Sequence, residues 1–308
     1  MAKQPRNLAG QVAAITGGAR GIGRVSAEAF VRRGMRVAIG DVDLQAARRT
    51  AQELGPSTVA LALDVTDHGS ISAFRQGVED QLGPPDVLLN NAGIMPIGPF
   101  LDEDDATARR ILDINVYGVI LGMKVFLPRM IDRGWGHVVS IASQAGKYGV
   151  PGGATYCASK AAVINLSRAV RKEVRGTGVE ISVISPVAVN TELAHGLSEP
   201  RHPQFRKIEP QQVAEAIVDT LRVPRFDVHV PRQLFVSERL SALLPISLQD
   251  GLFRMVRADT VLSGADPAAR SGYELRAAGS TPALEAAEER PRIAQTAGDE
   301  EQIGGSIG

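Results

Sequence analysis

Residues 16–23 read Thr-Gly-Gly-Ala-Arg-Gly-Ile-Gly, a glycine-rich turn between an apolar run at 12–15 and a helical stretch that starts at Gly21. Glycines in such a turn let the backbone approach a pyrophosphate, and the N–H groups and dipole of a helix N-terminus favour negative charge. A turn without a ligand is the simpler alternative, but the strand before it and the helix after it give the motif its expected context. The turn therefore predicts a dinucleotide site that includes Thr16, Gly17, Arg20, Gly21, Ile22 and Gly23.

Short apolar runs alternate with longer amphipathic stretches along the following sequence. Buried strands are predicted at 12–15, 37–39, 59–63, 87–89, 138–141, 181–184 and 228–230. Helices are predicted at 21–33, 44–54, 68–82, 104–133, 156–175 and 211–221. Short apolar strands separated by helices indicate a parallel sheet covered on both faces. The fold class is therefore α/β, a Rossmann-type doubly wound parallel sheet of about seven strands.

The composition narrows the possible functions. Of 308 residues, 34 are Lys or Arg and 34 are Asp or Glu, so the zero formal net charge gives no general attraction to nucleic acid. The single cysteine, Cys157, excludes an intrachain disulfide framework, and the scattered histidines lack metal-ligand spacing, so we assign no metal. The polar start and the lack of a long apolar run predict neither a secretory signal nor a membrane span, so we expect a cytoplasmic protein.

Asp41 ends the second predicted strand, 24 residues after Gly17. A carboxylate at this place accepts hydrogen bonds from the adenosine ribose hydroxyls and repels a 2′-phosphate, which favours NAD over NADP. Arg20 favours NADP instead, because a guanidinium in the turn could pair with a 2′-phosphate. The alternative interpretation of Arg20 is a solvated surface charge without a role in cofactor binding. We expect NAD, with NADP left open.

Further motifs make the sequence resemble the short-chain dehydrogenase/reductase family, in its single-domain branch, over residues 8–232. Besides the glycine-rich turn, they are Asp64-Val65, Asn90-Asn91-Ala92-Gly93, Asn115, Ser143 and Tyr156-x-x-x-Lys160. The resemblance implies that Asp64 and Val65 face the adenine, and that Asn91, Ala92 and Gly93 shape the cofactor floor. It also implies that Lys160 holds the nicotinamide ribose and that Asn115 helps to place a water connecting Lys160 to solvent.

Tyr156 and Lys160 are four residues apart, so they share one face of a helix. A phenol has a pKa of about 10, and a nearby ammonium together with the positive charge of an oxidised nicotinamide favours its ionised form. Tyr156 is therefore the candidate general acid and base for a secondary alcohol or ketone. Ser143 is expected to donate a hydrogen bond to the substrate oxygen as charge develops there.

One stretch departs from the family pattern, because Val187 stands where a glycine usually follows Pro186. Valine tolerates a positive φ poorly, so either the loop differs or the glycine is not used for its φ. We still assign Pro186, Val189 and Thr191 to the cofactor site. Substrate contacts are predicted for Ser143, Tyr156, Ile94, Met95, Val150 and Leu193.

The motifs divide the chain into three parts. Residues 1–231 are predicted to form the NAD(P)-binding catalytic domain, and 277–308 a mostly disordered tail with a transient helix at 282–290. Residues 232–276 are predicted to add two short amphipathic helices separated at Pro245. We favour packing of these helices on the body, the active site or a subunit interface over peripheral membrane contact through 232–260.

The sequence predicts an oxidoreductase that transfers a hydride between NAD(H) and a hydrophobic secondary alcohol or ketone, of steroid-like, terpenoid or acyl type. The first alternative is an NADPH-dependent ketoreductase of the 3-oxoacyl type. The second is a non-catalytic dinucleotide-sensing protein, because fold does not determine function. By the resemblance, we expect a homodimer or homotetramer.

Overall fold

The computed structural model describes residues 5–241 and 243–279, apart from the side chains of Gln204 and Ser237. Seven strands form one sheet in this described part of the chain. They are β1 (Val12–Thr16), β2 (Arg36–Asp41), β3 (Thr58–Ala62), β4 (Val87–Asn90), β5 (Gly136–Ile141), β6 (Val179–Pro186) and β7 (Asp227–Val230). Every neighbouring pair is parallel, and the order is β3-β2-β1-β4-β5-β6-β7. The predicted doubly wound sheet is confirmed.

Seven helices accompany the strands. They are α1 (Gly21–Arg32), α2 (Leu44–Leu54), α3 (His68–Leu82), α4 (Asp105–Leu112), α5 (Gly118–Asp132), α6 (Ala154–Glu173) and α7 (Pro210–Arg222). Local chemistry fixes several of their ends. Asp43 caps α2 by accepting the N–H of Ala46, and Asp67 caps α3 by accepting that of Gly69.

The sheet divides the core into two layers, as alternation along a strand requires. Val12 and Ala14 of β1 face one layer, which includes Phe74 of α3 and Phe126 of α5 with ring centroids 6.3 Å apart. Ala13 and Ile15 face the other layer, against α1 and α7. The strand order reverses between β1 and β4, so a cleft is expected at the carboxyl ends of these strands.

The single helix predicted at 104–133 contains an irregularity. A π-helical turn, Asp113–Tyr117, joins α4 to α5. The combined helix Asp105–Asp132 is long and apolar enough to cross a membrane, but 56% of its most apolar stretch is buried inside the fold. This helix therefore has the burial of a core helix.

Four helices follow β7 and form the predicted helical extension. They are α8 (Leu234–Ser241), α9 (Ile246–Met255), α10 (Thr260–Ser263) and α11 (Pro267–Gly279). The predicted break between helices at Pro245 is present, but the described part of the extension contains four helices instead of the two predicted. Helix α11 also continues to Gly279, beyond the start of the predicted tail at residue 277. The rest of that tail, with the helix expected at 282–290, lies outside the described residues.

His137 in β5 gives an expected pH dependence of stability. Burial lowers its pKa to about 3, with a smaller effect of Arg6. Its Nε2 lies 2.8 Å from the hydroxyl of Ser182, which itself donates to the carbonyl of Arg225. The ring therefore stays neutral in the folded protein, whereas an unfolded histidine protonates near pH 6.5.

Acidification is thus expected to favour unfolding, because between pH 6.5 and 3 the unfolded chain binds one more proton at this position. From pH 7 to pH 5 the loss from this residue is about 2 kcal/mol. Urea denaturation of wild type and His137→Asn at both pH values measures it. The variant is expected to lose about 2 kcal/mol less than wild type on acidification, and an identical loss in both proteins would contradict the assignment.

Candidate active site

The glycine-rich turn after β1 has the backbone that a pyrophosphate needs. Gly17 and Gly21 have φ of 64° and 54°, a region that side chains disfavour. A Cβ on Gly23 would lie 2.3 Å from the carbonyl oxygen of Gly17 and 2.6 Å from Nδ2 of Asn91. Helix α1 begins at once, and no described side chain caps it, so its first N–H groups can bind an anion. This cradle fits a dinucleotide.

Thr16 and Asn91 join the carboxyl ends of β1 and β4. The hydroxyl of Thr16 accepts the N–H groups of Asn91 at 3.0 Å and Ala92 at 3.1 Å. The amide of Asn91 donates to the carbonyls of Thr16 at 3.0 Å and Gly17 at 2.8 Å. Thr16 therefore holds the start of the loop after β4, and the side chain of Asn91 holds the start of the glycine-rich turn.

Asp41 ends β2 and lines the cleft beside the turn. Its carboxylate accepts the N–H groups of Ala19 and Asp43, each at 3.1 Å. Burial raises its pKa, and these two hydrogen bonds oppose the rise. Arg20 is engaged nearby, because its guanidinium donates to Asp43 at 2.6 Å. The cleft beside the turn thus contains the carboxylate of Asp41, while Arg20 of the turn is already paired with the carboxylate of Asp43.

Gly93 connects the cofactor floor to the predicted catalytic residues. A Cβ on Gly93 would lie 3.1 Å from Oδ1 of Asn115 and 3.4 Å from Nζ of Lys160. Asp64 and Val65 line the wall of the same cleft, and Asp64 accepts the N–H of Thr66 at 2.8 Å. The residues predicted after β3 and β4 therefore converge on one place.

Tyr156 and Lys160 lie one turn apart in α6, and Ser143 follows β5. Nζ of Lys160 lies 5.8 Å from the ring centroid of Tyr156 and donates to the carbonyl of Ile141 at 3.0 Å. The hydroxyls of Ser143 and Tyr156 are hydrogen-bonded. The three predicted polar groups therefore form one cluster at the bottom of the cleft.

The surroundings of this cluster shift both titratable groups toward their neutral forms. Burial raises the pKa of Tyr156 to about 12, against the smaller opposing effect of the bond to Ser143. Burial lowers the pKa of Lys160 to about 8. Tyr156 is therefore a protonated phenol at neutral pH, the form that can donate a proton to an alkoxide.

Asn115 lies in the π-helical turn and is fully buried behind the cleft wall. Its Oδ1 accepts the N–H of Ile94 at 2.8 Å, and its Nδ2 donates to the carbonyl of Ile94 at 2.9 Å. Nδ2 also donates to the hydroxyl of Ser159 at 3.1 Å. The side chain thus clamps the loop after β4 to α6; the water expected beside it stays a prediction.

In the loop after β6, Val187 does not have a positive φ, so its backbone is not strained in the way that a valine there could be. Arg257 is the only residue other than glycine with a positive φ in the described part of the chain. Val187 donates its N–H to the carbonyl of Val230 at 3.0 Å. A glycine is therefore not required here for its φ. Pro186, Val189 and Thr191 line the cleft as predicted.

A cavity of about 570 Å³ runs from the glycine-rich turn to Tyr156. All the predicted site residues line it except Thr16, Gly23 and Asn115, which lie directly behind its wall. The predicted substrate residues Ile94, Met95, Val150 and Leu193 are among the lining. Around Tyr156 the packing is apolar and includes Leu197 and Leu262.

The C-terminal extension covers this cavity, which is one of the packings expected for it, but the sequence did not indicate which of its residues form the roof. The roof residues are Phe253, Ala258, Val261, Leu262, Tyr273, Arg276, Ala277 and Gly279. Tyr273 is a further tyrosine in the lining of the cavity, besides Tyr156. Its hydroxyl accepts the N–H of Met95 at 2.6 Å, and burial raises its pKa.

Arg270 of α11 ties the roof to the catalytic body, although its side chain is only 2% exposed. Its guanidinium donates to the carbonyls of Met95 at 2.8 Å, Leu193 at 3.0 Å and His195 at 3.1 Å. Nε donates to Glu274 at 2.9 Å, which balances the buried charge. One side chain thus joins the loop after β4, the segment after β6 and the extension.

Other chemistries find no support in the described residues. No group of three or more His, Cys, Asp or Glu there could hold a metal ion. Burial raises the pKa of the Cys157 thiol, which disfavours the nucleophilic thiolate.

Comparison with known proteins agrees with this geometry. The sequence profile of the short chain dehydrogenase family matches residues 11–202. Sorbitol dehydrogenase of Cereibacter sphaeroides is 42% identical over 186 residues, which are 60% of this chain and 73% of that protein. The probable oxidoreductase EphD of Mycobacterium tuberculosis is 32% identical over 268 residues, or 80% of this chain, but the match spans only 45% of that protein.

Solved structures give the same result. A short-chain dehydrogenase/reductase of Burkholderia phymatum in complex with NAD superposes with a TM-score of 0.71. The sequences are 28% identical, and the match covers 79% of this chain and 96% of the other. The seven-stranded sheet and the cleft at its carboxyl edge therefore have a counterpart in a structure that contains a dinucleotide.

Proposed function

This chain belongs to the short-chain dehydrogenase/reductase family, and from that premise we propose that it is an NAD-dependent oxidoreductase of apolar secondary alcohols and ketones. One observation carries the proposal. Ser143, Tyr156 and Lys160 cluster in one cavity with the glycine-rich turn and with Asp41. That cavity is continuous from the glycine-rich turn to the phenol.

The chain's own residues account for the proton transfer. When bound, the nicotinamide accepts hydride from an alcohol carbon or gives hydride to a ketone carbon. In oxidation Tyr156 accepts the hydroxyl proton, and in reduction its hydroxyl gives that proton to the alkoxide oxygen. Ser143 donates a hydrogen bond to the same oxygen. We assign Lys160 to the ribose; in its charged form it also favours phenolate, against the effect of burial on Tyr156.

The pH dependence of the two directions follows from the protonated state of Tyr156. Oxidation needs the phenol to release its proton before or during the step, so its rate is expected to rise with pH. Reduction uses the phenol as it stands, because its pKa lies near 12. Reduction is therefore expected to be favoured at neutral pH.

The apolar packing around Tyr156 supports an apolar substrate. Met95, Leu197 and Leu262 are buried against the phenol, and Val150 and Leu193 pack on them. A polyol would leave several hydroxyl groups without partners here, at a cost of about 1–3 kcal/mol each. The substrate class we propose is a steroid-like, terpenoid or acyl alcohol or ketone.

The test follows nicotinamide absorbance with NAD and NADP on a panel of apolar secondary alcohols, with sorbitol and galactitol included. We expect NAD-linked turnover with higher kcat/KM for the apolar compounds. Preferred turnover of the polyols would contradict the substrate class. Saturable NAD binding without turnover on the whole panel would favour the dinucleotide-sensing alternative.

The preference for NAD over NADP, including the NADPH-dependent ketoreductase alternative, is tested at Asp41. Asp41→Asn removes the charge that repels a 2′-phosphate, so the ratio of kcat/KM for NADP to that for NAD is expected to rise about tenfold. Glu53→Gln is the control, because Glu53 pairs with Arg24 on the surface. An unchanged ratio in Asp41→Asn would show that Asp41 does not select the cofactor.

We also propose a homo-oligomer through the surface of α4 and α5. Large apolar side chains are exposed there and just before α4, namely Phe100, Leu101, Leu112 and Tyr117. Sedimentation velocity of wild type and Tyr117→Glu tests this. A monomeric wild type would contradict it.

A further inference from the structure

Helices α8 and α9 expose an unusual number of large apolar side chains. We name this set the α8–α9 apolar surface, and its members are Phe235, Val236, Leu240, Leu243, Ile246, Leu248, Leu252 and Met255. Leu243 is 81% exposed and Ile246 is 72% exposed. A contiguous apolar surface of this kind marks a contact with another molecule or with a membrane.

The spacing of these residues gives each helix one apolar face toward the outside. Val236 and Leu240 are four apart in α8, and Leu248, Leu252 and Met255 follow at four and three in α9. Opposite them, Phe253 points to the protein and packs on Tyr148 with ring centroids 5.6 Å apart. The helices therefore have a second apolar face besides the one that the body covers.

The connection between the two helices is apolar as well. It reads Leu243-Leu244-Pro245 and leads into Ile246. Connections between helices are ordinarily polar because they face water. An apolar tip at the most exposed place of the extension is typical of a segment that enters a membrane interface.

A partly buried ionic cluster holds α8 on the body. Nζ of Lys147 donates to both carboxylate oxygens of Asp227 at 2.9 Å and to Glu238 of α8 at 3.2 Å. His229 of β7 lies 2.9 Å from the same nitrogen. Lys147 comes four residues after Ser143, so α8 is anchored close to the catalytic cluster.

The segments around the α8–α9 apolar surface carry more basic than acidic residues, although the formal net charge of the whole chain is zero. Arg201 donates its N–H to the carbonyl of Val256 at the end of α9, which brings the segment 199–207 beside α9. The basic residues of these segments are Arg201, Arg206, Lys207, Arg239, Arg254 and Arg257, and the acidic ones outside the Lys147 cluster are Glu199, Asp250 and Asp259. Among the described residues, no carboxylate lies within ion-pair distance of Arg254 or Arg257. The rim is therefore net basic.

The same helix borders the cavity. Phe253 of α9 and Ala258 just after it line the cavity that reaches Tyr156. Phe205, which contacts Phe253 at 6.4 Å between centroids, lines it too. An apolar molecule that leaves a bilayer under α9 would meet the cavity lining directly.

We propose that the α8–α9 apolar surface docks on a lipid bilayer that contains anionic headgroups. The tip at Leu243 and Ile246 enters the interface, and Arg254 and Arg257 contact the headgroups. The role of this docking in substrate entry rests on the proposed function; the docking itself does not.

Co-sedimentation of the full chain with phosphatidylcholine vesicles, with and without phosphatidylglycerol, tests the docking. Wild type is expected to sediment with the anionic vesicles and to be released by salt. In the double variant Leu243→Ser with Ile246→Ser, the Kd for anionic vesicles is expected to rise at least about tenfold. Arg254→Gln is expected to weaken binding roughly fivefold.

Leu275→Ser is the matched control, because Leu275 is 75% exposed but lies in α11, outside both the α8–α9 apolar surface and the proposed oligomer surface. It is expected to bind vesicles like wild type. No sedimentation of wild type would overturn the proposal. Vesicle binding of the double variant equal to that of wild type would also overturn it. A lower assembly mass of the double variant, without vesicle binding by wild type, would show instead that the surface joins two copies of the chain.

The readouts separate this inference from the proposed function. Vesicle binding needs no substrate, so a protein that is inactive on apolar alcohols but sediments with vesicles would contradict only the function. A protein that turns over apolar alcohols in buffer but does not sediment with vesicles would contradict only the docking.

Discussion

Replacing Tyr156 with phenylalanine is expected to lower kcat by a factor of roughly 10² to 10⁴, the usual contribution of a positioned acid or base. The variant keeps the buried ring but loses the hydroxyl that is hydrogen-bonded to Ser143. The ring that remains still lies 5.8 Å from Nζ of Lys160 in the wild-type geometry, so the variant removes the proton donor and little else. NAD-linked turnover of an apolar alcohol measures the effect.

Binding of NAD, followed by quenching of protein fluorescence or by calorimetry, serves as the control. It is expected to change less than turnover, because the glycine-rich turn and Asp41 are untouched. Turnover at the wild-type level in Tyr156→Phe would remove the phenol from the mechanism. Equal losses of binding and turnover would indicate a structural defect.

Replacing Arg270 with lysine is expected to open the roof of the cavity and to destabilise the fold by about 1–3 kcal/mol for each buried carbonyl left without a donor. A lysine keeps the charge but cannot donate at once to Met95, Leu193 and His195, because only the planar guanidinium has several fixed N–H directions. Buried carbonyls would lose their partners. KM for the apolar substrate is expected to rise, and thermal unfolding to shift downward.

Arg276→Lys is the matched control in the same helix. Arg276 pairs with Glu192 at 3.0 Å, but both side chains are more than half exposed, and such pairs contribute about 0–1 kcal/mol. A stability loss in Arg276→Lys as large as that in Arg270→Lys would contradict the role assigned to Arg270. Dissociation of NAD should change little in either variant.

The sheet could be predicted from the sequence because parallel buried strands leave a direct signal. Runs such as 37–39 and 87–89 are uniformly apolar, and each lies within a strand of the structure. The residues of the cleft could be predicted as well, because a glycine-rich turn and a Tyr-x-x-x-Lys pair depend on local spacing. Their convergence needed only the rule that parallel strands share a carboxyl edge.

Helix α11 could not be recognised by apolar periodicity because its buried face is largely polar. Arg270, Tyr273 and Ala277 are the residues that point inward, at spacings of three and four. A search for apolar stripes passes over such a helix. The available signal was Asp266 followed by Pro267, since Asp266 accepts the N–H of Ala268 at 2.9 Å and proline suits a first turn.

The π-helical turn also escaped prediction, because one extra residue per turn leaves the composition of a helix unchanged. Asn115 was recognised by motif alone. Its actual bonds, to both backbone groups of Ile94, depend on a loop that comes 21 residues earlier. Contacts of this kind are decided by tertiary packing, and no local pattern reports them.

The position of Arg270 in the chain has a consequence for synthesis of the protein. Tyr156 leaves the ribosome 114 residues before Arg270, a delay of roughly 6–23 seconds at about 5–20 residues per second. During that interval Met95 lacks the hydrogen bonds it makes with Arg270 and Tyr273. The apolar pocket beside Tyr156 stands uncovered on the nascent chain, and this is the period in which a chaperone would have most to protect.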